Sequence, residues 1–242
     1  MIPVSIAMAT FNVASALDKT LDSIFKQEYE PLEVVVVDDG SNDNTQAVCA
    51  KYPIRYIYLD RPRPTCQARA LNVAIKHTTH ENLIIQSSDV YHGSETILRL
   101  AKLLDQYPDS FVNPAIYNDG VTGGKHEDGK LLSGRSSIMV LYYLSMIKRQ
   151  TVIDMRGVDE DFIYAAYEDL DFTQRLMHAG VPVLIDESIT GYHQDHPRMS
   201  IANYNSNMDH ELMAKLYVDK RSAMRSGEIS HVRNLNREWG KL

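Results

Sequence analysis

The stretch LEVVVVDDGSNDNT, residues 32–45, joins a continuous run of valines to a polar turn. Four consecutive valines without polar alternation are typical of a strand that is buried on both faces, as in a parallel sheet. The aspartates, glycine and asparagines that follow end the strand, and TQAVCAKY predicts a helix capped by Asn44 or Thr45. The stretch therefore predicts a strand, a turn and a helix, the repeating unit of an α/β fold.

The same unit recurs along the first half of the chain. Strands are predicted over PVSIAMAT, IRYIYLD and NLIIQ, and amphipathic helices over VASALDKTLDSIFKQ, TCQARALNVAIKHT and SETILRLAKLLDQY. In the last of these helices we expect Ser94 and Glu95 in the first turn. Alternating strands and helices predict a parallel sheet covered by helices on both faces, in a Rossmann-like arrangement.

The pattern changes after Pro108. Further strands are predicted over FVNPAIY, SSIMVLYYLSMIKR and PVLID, and a helix over EDLDFTQRLMHAG that ends at Gly180. The glycine-rich residues 118–130 predict a mobile loop, which is a candidate lid. From Asn203 onwards we expect helix, with Trp239 on an apolar position of a packed tail or a subunit contact.

Composition excludes several classes of protein. The chain has 242 residues, a formal net charge of −7 and no lysine or arginine run, so no nucleic-acid partner is expected. No apolar run approaches the roughly 18 residues of a transmembrane segment, and MIPVSIAMATFN lacks the order of a signal peptide. We expect a cytoplasmic protein that can still dock at the periphery of a membrane. Cys49 and Cys66 have no metal-binding spacing, and no chemistry is assigned to them.

Polar side chains follow the predicted strands at the edge where an open parallel sheet binds its ligands. They are Thr10 and Asn12 after the first strand, Asp38 and Asp39 after the second, and Ser87, Ser88 and Asp89 after the fourth. The turn MATFNVAS contains no glycine, which disfavours a GxGxxG loop and a P-loop. We expect phosphates to be neutralised instead by a divalent metal on carboxylates and a nearby arginine.

The quoted strand and turn also carry a family resemblance. The segment VSIAMATFNVASALDKTLDSIFKQEYEPLEVVVVDDGSNDNT resembles the opening of the GT-A type glycosyltransferases of family 2, and ARALNVAIKH and MRGVDEDFIYAAYEDLDFTQRLMHAG resemble later motifs of that family. The resemblance covers roughly residues 3–197. It implies a GT-A, Rossmann-like fold with a mostly parallel central sheet flanked by helices and a helical C-terminal extension.

The resemblance also implies a division of the chain. Residues 1–199 would form the glycosyltransferase domain, with a nucleotide-binding half over 1–107 and an acceptor and catalytic half over 108–199. Residues 200–242 would form the helical extension, through which the protein could form a homo-oligomer.

The donor-nucleotide site implied by the family motifs draws on several strand ends. Thr10 and Asp39 would contact the base or ribose, and Arg69 with Asn72 would lie near the diphosphate. The full set is Thr10, Asn12, Asp38, Asp39, Arg69, Asn72 and Ser88. Without the resemblance, residues 38–44 would be interpreted as a helix-capping turn, and Arg69 equally well as a surface salt bridge.

The segment YEDLDF places Glu168, Asp169 and Asp171 in one helical turn. Carboxylates are favourable at a helix N-terminus without any further purpose, because they offset the macrodipole. Resemblance to the Glu-Asp motif of the family implies that Asp169 is the general base, that Glu168 orients the acceptor, and that Asp171 has the weakest claim. One direct displacement by the acceptor would invert the anomeric carbon.

Two segments suggest metal ligands. The family usually ends its fourth strand in Asp-x-Asp, whereas LIIQSSDVYHG, residues 83–93, offers only Asp89. In GYHQDHP, residues 191–197, the context resembles the metal-binding histidine of chondroitin-polymerase-like enzymes, which favours His193, with His196 as the alternative. Asp89 and His193 would bind Mn²⁺ or Mg²⁺. The missing acid leaves the metal requirement open.

The motifs together favour one function. It is a hexosyl- or N-acetylhexosaminyl-transferase that uses a nucleotide diphosphate sugar, UDP-linked by preference, and an acceptor that is a glycan or another hydroxyl-bearing molecule. The alternative is a nucleotide-sugar-binding or scaffolding protein with a degenerate metal site. A nucleotidyltransferase is disfavoured, because it would need a glycine-rich and basic loop after the first strand.

Overall fold

A computed structural model describes residues 1–60, 66–120, 129–133, 140–164, 166–194 and 207–241. The strands are β1 Val4–Thr10, β2 Leu32–Asp38, β3 Arg55–Tyr58, β4 Asn82–Ser87, β5 Val90–His92, β6 Phe111–Asp119, β7 Leu131–Ser133, β8 Leu144–Lys148 and β9 Val183–Gln194. The helices are α1 Ala14–Phe25, α2 Thr45–Cys49, α3 Ala68–His77, α4 Thr96–Gln106, α5 Arg149–Asp154, α6 Glu168–His178 and α7 Asn207–Ser226. Most of the candidate lid and the alternative ligand His196 lie outside the described residues.

The strands form one mixed sheet in the order β3-β2-β1-β4-β8-β6-β9-β5, and β7 pairs with β6. The first four strands are mutually parallel, as the valine-rich runs predicted. Strand β8 lies antiparallel between β4 and β6, whereas β9 runs parallel to β6 and β5 antiparallel to β9. The predicted α/β class is confirmed, and the sheet is parallel in its N-terminal half and mixed beyond β4.

Both faces of the sheet are covered, which explains why the strands show no polar alternation. Along β1, Ile6 and Met8 face a layer that contains α1 and α4. Ala7 and Ala9 face the opposite layer, which contains α3 and α6. Most strand positions therefore carry apolar side chains, and clusters of polar side chains follow at the carboxyl ends of β1, β2 and β4.

Two helix starts differ from the sequence-based expectation. Helix α4 begins at Thr96, and Glu95 precedes it in a left-handed conformation, so Ser94 and Glu95 are not in its first turn. Helix α2 follows Asn44, but the cap is supplied by Asp43, whose Oδ1 accepts the Thr45 N–H at 3.0 Å. The carboxylate of Asp43 bonds to the N–H two residues further along the chain, and it thereby takes the place of an Asn44 side chain as the acceptor in this turn.

The chain after α7 is not helical, which corrects the expectation of helix to the end. Helix α7 ends at Ser226, and Gly227 follows with a φ of 81°. Residues 227–241, here called the C-terminal strap, run back over the α6 side of the molecule. Trp239 of the strap is buried and packs beneath Lys76. The predicted packed tail is present, but as irregular chain.

A buried ion network fastens α6 to the strap. Arg175 of α6 is 0% exposed, and its Nε donates to Asp171 Oδ2 at 2.7 Å. Its Nη2 donates to the Gly157 carbonyl at 2.9 Å. Arg233 of the strap lies 3.0 Å from Asp159 and 3.5 Å from Asp171. Because a buried charge without a partner is strongly unfavourable, this network fixes α6, residues 157–159 and the strap relative to one another.

Gly157 lies where these parts meet and cannot be replaced without strain. Its φ is 72°, and an added Cβ would lie 2.2 Å from Asn72 Oδ1 and 2.6 Å from the Trp239 ring. Gly180 provides a contrast, because it has a φ of 82° with nothing within 4 Å of an added Cβ.

We expect Gly157→Ala to destabilise the protein more than Gly180→Ala. Both substitutions place an alanine in a left-handed backbone conformation, at a cost of roughly 1–2 kcal/mol. Gly157→Ala adds a steric cost of roughly 1–3 kcal/mol. Urea unfolding of the wild type and both variants measures these losses. Equal losses in the two variants would show that the contact between residue 157, Asn72 and Trp239 is not tight.

Candidate active site

The carboxyl ends of β1 and β2 are joined by a closed set of hydrogen bonds. The Asp39 N–H donates to the Thr10 carbonyl at 2.9 Å. The Asn12 N–H donates to Ser41 Oγ at 2.8 Å, and Asn12 Oδ1 accepts the Asn42 N–H at 2.8 Å. Asn12 therefore ties the first turn to the second and helps to build the rim of the site.

The two aspartates at the end of β2 differ in what they do. Asp38 Oδ1 accepts the Ser41 N–H at 2.8 Å, and its Oδ2 accepts the Tyr56 hydroxyl at 2.7 Å. Burial, and then the hydrogen bond to Asp38, raise the pKa of Tyr56. The carboxylate of Asp38 thus holds the turn and β3, and its role in donor binding stays a prediction.

Thr10 has a buried hydroxyl at the end of β1. Among the described residues its Oγ1 has no hydrogen-bond partner. A buried polar atom left unpaired costs about 1–3 kcal/mol, so its presence at a ligand-binding edge of the sheet favours contact with a ligand.

The expected metal ligands come together at the end of β4. Strand β5 pairs with β9 so that Val90 lies opposite His193, and the Gln194 N–H donates to the Asp89 carbonyl at 2.8 Å. Asp89 Oδ2 lies 3.4 Å from His193 Nε2, with side-chain exposures of 19% and 13%. Ser88, the preceding residue, is buried. Residues far apart in sequence are thereby placed side by side.

This pair fits a divalent cation as part of its coordination shell. Oxygen and imidazole ligands bind Mn²⁺ or Mg²⁺ at about 2.0–2.2 Å, so two adjacent ligands of one ion are roughly 3 Å apart. The 3.4 Å separation of Asp89 and His193 is close to this value. Within the described ranges no group of three His, Cys, Asp or Glu side chains is arranged for a metal, so the remaining ligands must come from elsewhere.

The start of α6 holds two acidic side chains with different surroundings. Glu168 is buried and accepts hydrogen bonds from Gln67 Nε2 and from the Ala166 N–H, both at 3.0 Å. Tyr167 precedes the helix with a φ of 71°, a conformation rare outside glycine. Asp169 Oδ1 accepts the Leu170 N–H at 2.7 Å. Glu168 is therefore held by donors from two other residues, whereas Asp169 accepts from the backbone of its own helical turn.

The pKa of the Asp169 carboxyl group is perturbed. Burial, and then the negative charge of Glu168, raise the pKa of Asp169 to about 7, although the Leu170 N–H acts in the opposite direction. A carboxylate with this pKa accepts protons effectively near neutral pH. Asp171, the third acid of this turn, is taken up by the network with Arg175 and Arg233.

Cys66 connects the two halves of the site. Burial, then Glu168, and to a smaller extent Asp169 and Asp39, raise the pKa of its thiol. Because an effect on one thiol requires proximity, Asp39 at the end of β2 and Glu168 and Asp169 at the start of α6 lie near Cys66; these four residues are called here the acid chamber. Cys66, Gln67 and Tyr142 belong to no motif, so sequence reasoning had no signal for them.

Two expected diphosphate-binding residues contact other parts of the protein. Asn72 is fully buried, and its amide bonds to the Val158 N–H and carbonyl, each at 2.8 Å, and to Glu160 at 2.9 Å. Arg69 is exposed and donates to the Lys241 carbonyl at 3.4 Å. Helix α3 thus turns both side chains towards the strap region, and their role at the diphosphate stays a prediction.

Comparisons with known proteins identify relatives of this chain. An uncharacterized glycosyltransferase of Rickettsia prowazekii is 32% identical over 93 residues, which cover 38% of this chain and 29% of that protein. The chain thus spans less than a third of the length of that relative. Among the described residues, no helix is both long enough and apolar enough to cross a membrane.

Solved structures share the fold. The crystal structure of Staphylococcus aureus TarS in complex with UDP aligns with a TM-score of 0.67 at 20% identity, over 81% of this chain and 61% of that one. The mannosyltransferase PcManGT from Pyrobaculum calidifontis, in complex with GDP-Man and Mn²⁺, aligns with a TM-score of 0.64 at 20% identity, over 82% and 59% of the two chains. These similarities confirm the GT-A fold.

The family "Glycosyl transferase family 2" matches residues 5–167, which include β1 to β8 and the loop before α6. The match spans more than half of the chain, and the protein is therefore a member of glycosyl transferase family 2.

Proposed function

We propose that the protein transfers a sugar from a nucleotide diphosphate donor, UDP-linked, to an acceptor hydroxyl with inversion at the anomeric carbon. The observation that carries the proposal is the acid chamber, in which Asp39 and Asp169 approach the same thiol, Cys66. A base at α6 can then act beside a nucleotide held at the end of β2. Solved relatives described with UDP and with GDP-Man support a nucleotide-sugar donor.

Asp169 is the proposed base. Its carboxylate takes the proton of the acceptor hydroxyl while the hydroxyl oxygen forms a bond to the anomeric carbon. The bond from that carbon to the diphosphate oxygen breaks, and its electron pair leaves with the nucleoside diphosphate. A pKa of about 7 keeps a large share of Asp169 ionised at neutral pH and makes it basic enough to accept a proton.

Three buried residues form the proposed nucleotide side. Thr10 offers an unpaired hydroxyl, Asp39 belongs to the acid chamber, and Ser88 lies beside Asp89. Glu168, whose carboxylate is fixed by Gln67, orients the acceptor.

Asp89 and His193 are the proposed ligands of Mn²⁺ or Mg²⁺. Such an ion, when bound, neutralises charge on the departing diphosphate. The PcManGT complex with Mn²⁺ supports metal use in this fold. The two side chains, an oxygen and a nitrogen donor, leave most coordination positions to substrate oxygens and water.

A second candidate is a nucleotide-sugar-binding protein without transfer activity. It is favoured by the single carboxylate of QSSD where the family usually has two. The acceptor, the formation of a homo-oligomer through the C-terminal region and a cytoplasmic location at a membrane periphery also remain proposals.

Nucleotide binding is tested by thermal shift with UDP, GDP, UDP-sugars and GDP-mannose, each with Mn²⁺, Mg²⁺ or EDTA. At 100 times its dissociation constant a ligand adds about 2.7 kcal/mol, so we expect UDP with Mn²⁺ to raise the melting temperature and EDTA to abolish the shift. Asp89→Ala and His193→Ala should lose the metal-dependent part. His77→Ala is the control, because its ring bonds to the Val73 carbonyl within α3. No shift with any nucleotide would contradict donor binding.

The base assignment is tested by comparing Asp169→Asn with Asp171→Asn. Asp169→Asn should abolish sugar transfer, assayed as acceptor-dependent UDP release, without loss of stability. Asp171→Asn should lower the free energy of unfolding by roughly 3–5 kcal/mol, because it leaves Arg175 buried without its partner. Near-normal transfer by folded Asp169→Asn would exclude this base, and donor binding without transfer by the wild type would favour the second candidate.

Stability should also depend on pH through Asp169. Its pKa is raised from 3.8 to about 7 in the folded protein, so the folded state binds a proton more tightly than the unfolded state. Ionisation therefore costs stability progressively between these two values. We expect Asp169→Asn to be more heat-stable than the wild type at pH 8 and equal to it below pH 3.8. A constant difference at all pH values would contradict the raised pKa.

A further inference from the structure

Tyr142 stands beside the proposed base. Its side chain is 3% exposed, and its ring packs edge-on against Phe172 with centroids 5.6 Å apart. Phe172 follows Asp169 by three residues on α6, so the two side chains lie on the same face of the helix. Tyr142 thus lies beside the acid chamber.

The hydroxyl of Tyr142 has no hydrogen-bond partner among the described residues. Buried tyrosine hydroxyls usually have one. Elsewhere in this protein they do: Tyr29 donates to the Ile2 carbonyl at 2.6 Å, and Tyr56 donates to Asp38 at 2.7 Å. An unpaired buried hydroxyl beside the acid chamber points to a ligand that supplies the missing partner.

The surroundings of this hydroxyl define what it can bind. Burial, and then the charges of Glu168 and Asp169, raise the pKa of Tyr142 well above its usual range. The group therefore stays protonated and can donate a hydrogen bond. It lies beside the base, whereas the proposed metal site, on the diphosphate side, is formed by Asp89 and His193. The partner that fits is an oxygen of the acceptor, next to the hydroxyl that Asp169 deprotonates.

We propose that Tyr142 positions a polyhydroxylated acceptor by donating a hydrogen bond to the oxygen that neighbours the attacking hydroxyl. This inference rests on the proposed function, since it assigns the acceptor side of the same site. A single neutral hydrogen bond of this kind corresponds to roughly a three- to tenfold effect on acceptor use.

The first test is stability, and it needs no substrate. Tyr142→Phe removes one oxygen that bonds to no described residue, so its melting temperature should equal or exceed that of the wild type. Tyr29→Phe is the matched control, because Tyr29 is also 3% exposed but its hydroxyl donates to the Ile2 carbonyl, and it should lower the melting temperature. A loss in Tyr142→Phe as large as in Tyr29→Phe would overturn the proposal.

The second test is UDP release from UDP-GlcNAc with Mn²⁺, measured without acceptor and with a series of methyl glycosides. Tyr142→Phe should keep the donor-induced thermal shift and the acceptor-free release of the wild type. Its KM for the acceptor should rise roughly three- to tenfold. An unchanged acceptor KM, or an equal rise in the KM for UDP-GlcNAc, would refute acceptor positioning while leaving the proposed function intact.

The two proposals fail in different ways. Wild-type protein that shows neither a thermal shift nor UDP release with UDP-GlcNAc, UDP-glucose or GDP-mannose would refute the proposed function and the role of Tyr142 with it. Wild-type activity combined with a Tyr142→Phe variant that is normal toward acceptors would refute the inference alone.

Discussion

The ion pair between Arg175 and Asp171 is the constraint on which the active half of the molecule depends. Arg175 is wholly buried within α6, so its charge must be matched inside the protein. Asp171 and the Gly157 carbonyl provide that match, and Arg233 of the strap, which pairs with Asp159, shares Asp171. Glu168 and Asp169 occupy the preceding turn of the same helix. Their positions are therefore set by an ion network that does not itself contact the reacting groups.

The acidic side chains of the site fall into two groups according to their neighbours. Asp38 accepts hydrogen bonds from Ser41 and Tyr56, Asp171 pairs with Arg175, and both hold the fold together. Burial, and then the negative charge of Glu168, oppose the ionisation of Asp169 and raise its pKa. The two structural acids are those that the protein pairs with its own donors, whereas the acid with the raised pKa is suited to accept a proton from a substrate.

The sequence was most informative where structure is local. The valine run of β2 and the segments around it predicted β1 to β4 and the helices between them. This was possible because the hydrophobic periodicity of a strand or helix, and its burial, are visible in residues that are adjacent in sequence. The pair Asp89 and His193 was predicted through family motifs and meets at 3.4 Å. Asn72 was assigned to the diphosphate through a family motif, which gives no information about its amide partner 86 residues away. Tyr142 was missed because only tertiary packing shows that its hydroxyl has no partner among the described residues.

The C-terminal strap has a consequence for where this fold can be divided. The family match ends at residue 167, whereas Arg233, Asn234 and Trp239 are packed against residues 155–160 and against α3 and α6. A boundary placed at the end of the family match would separate α6 and the strap from the Gly157 carbonyl and Asp159, which bind Arg175 and Arg233. The family match and the stretch that completes the packing of this fold are thus different parts of the same chain.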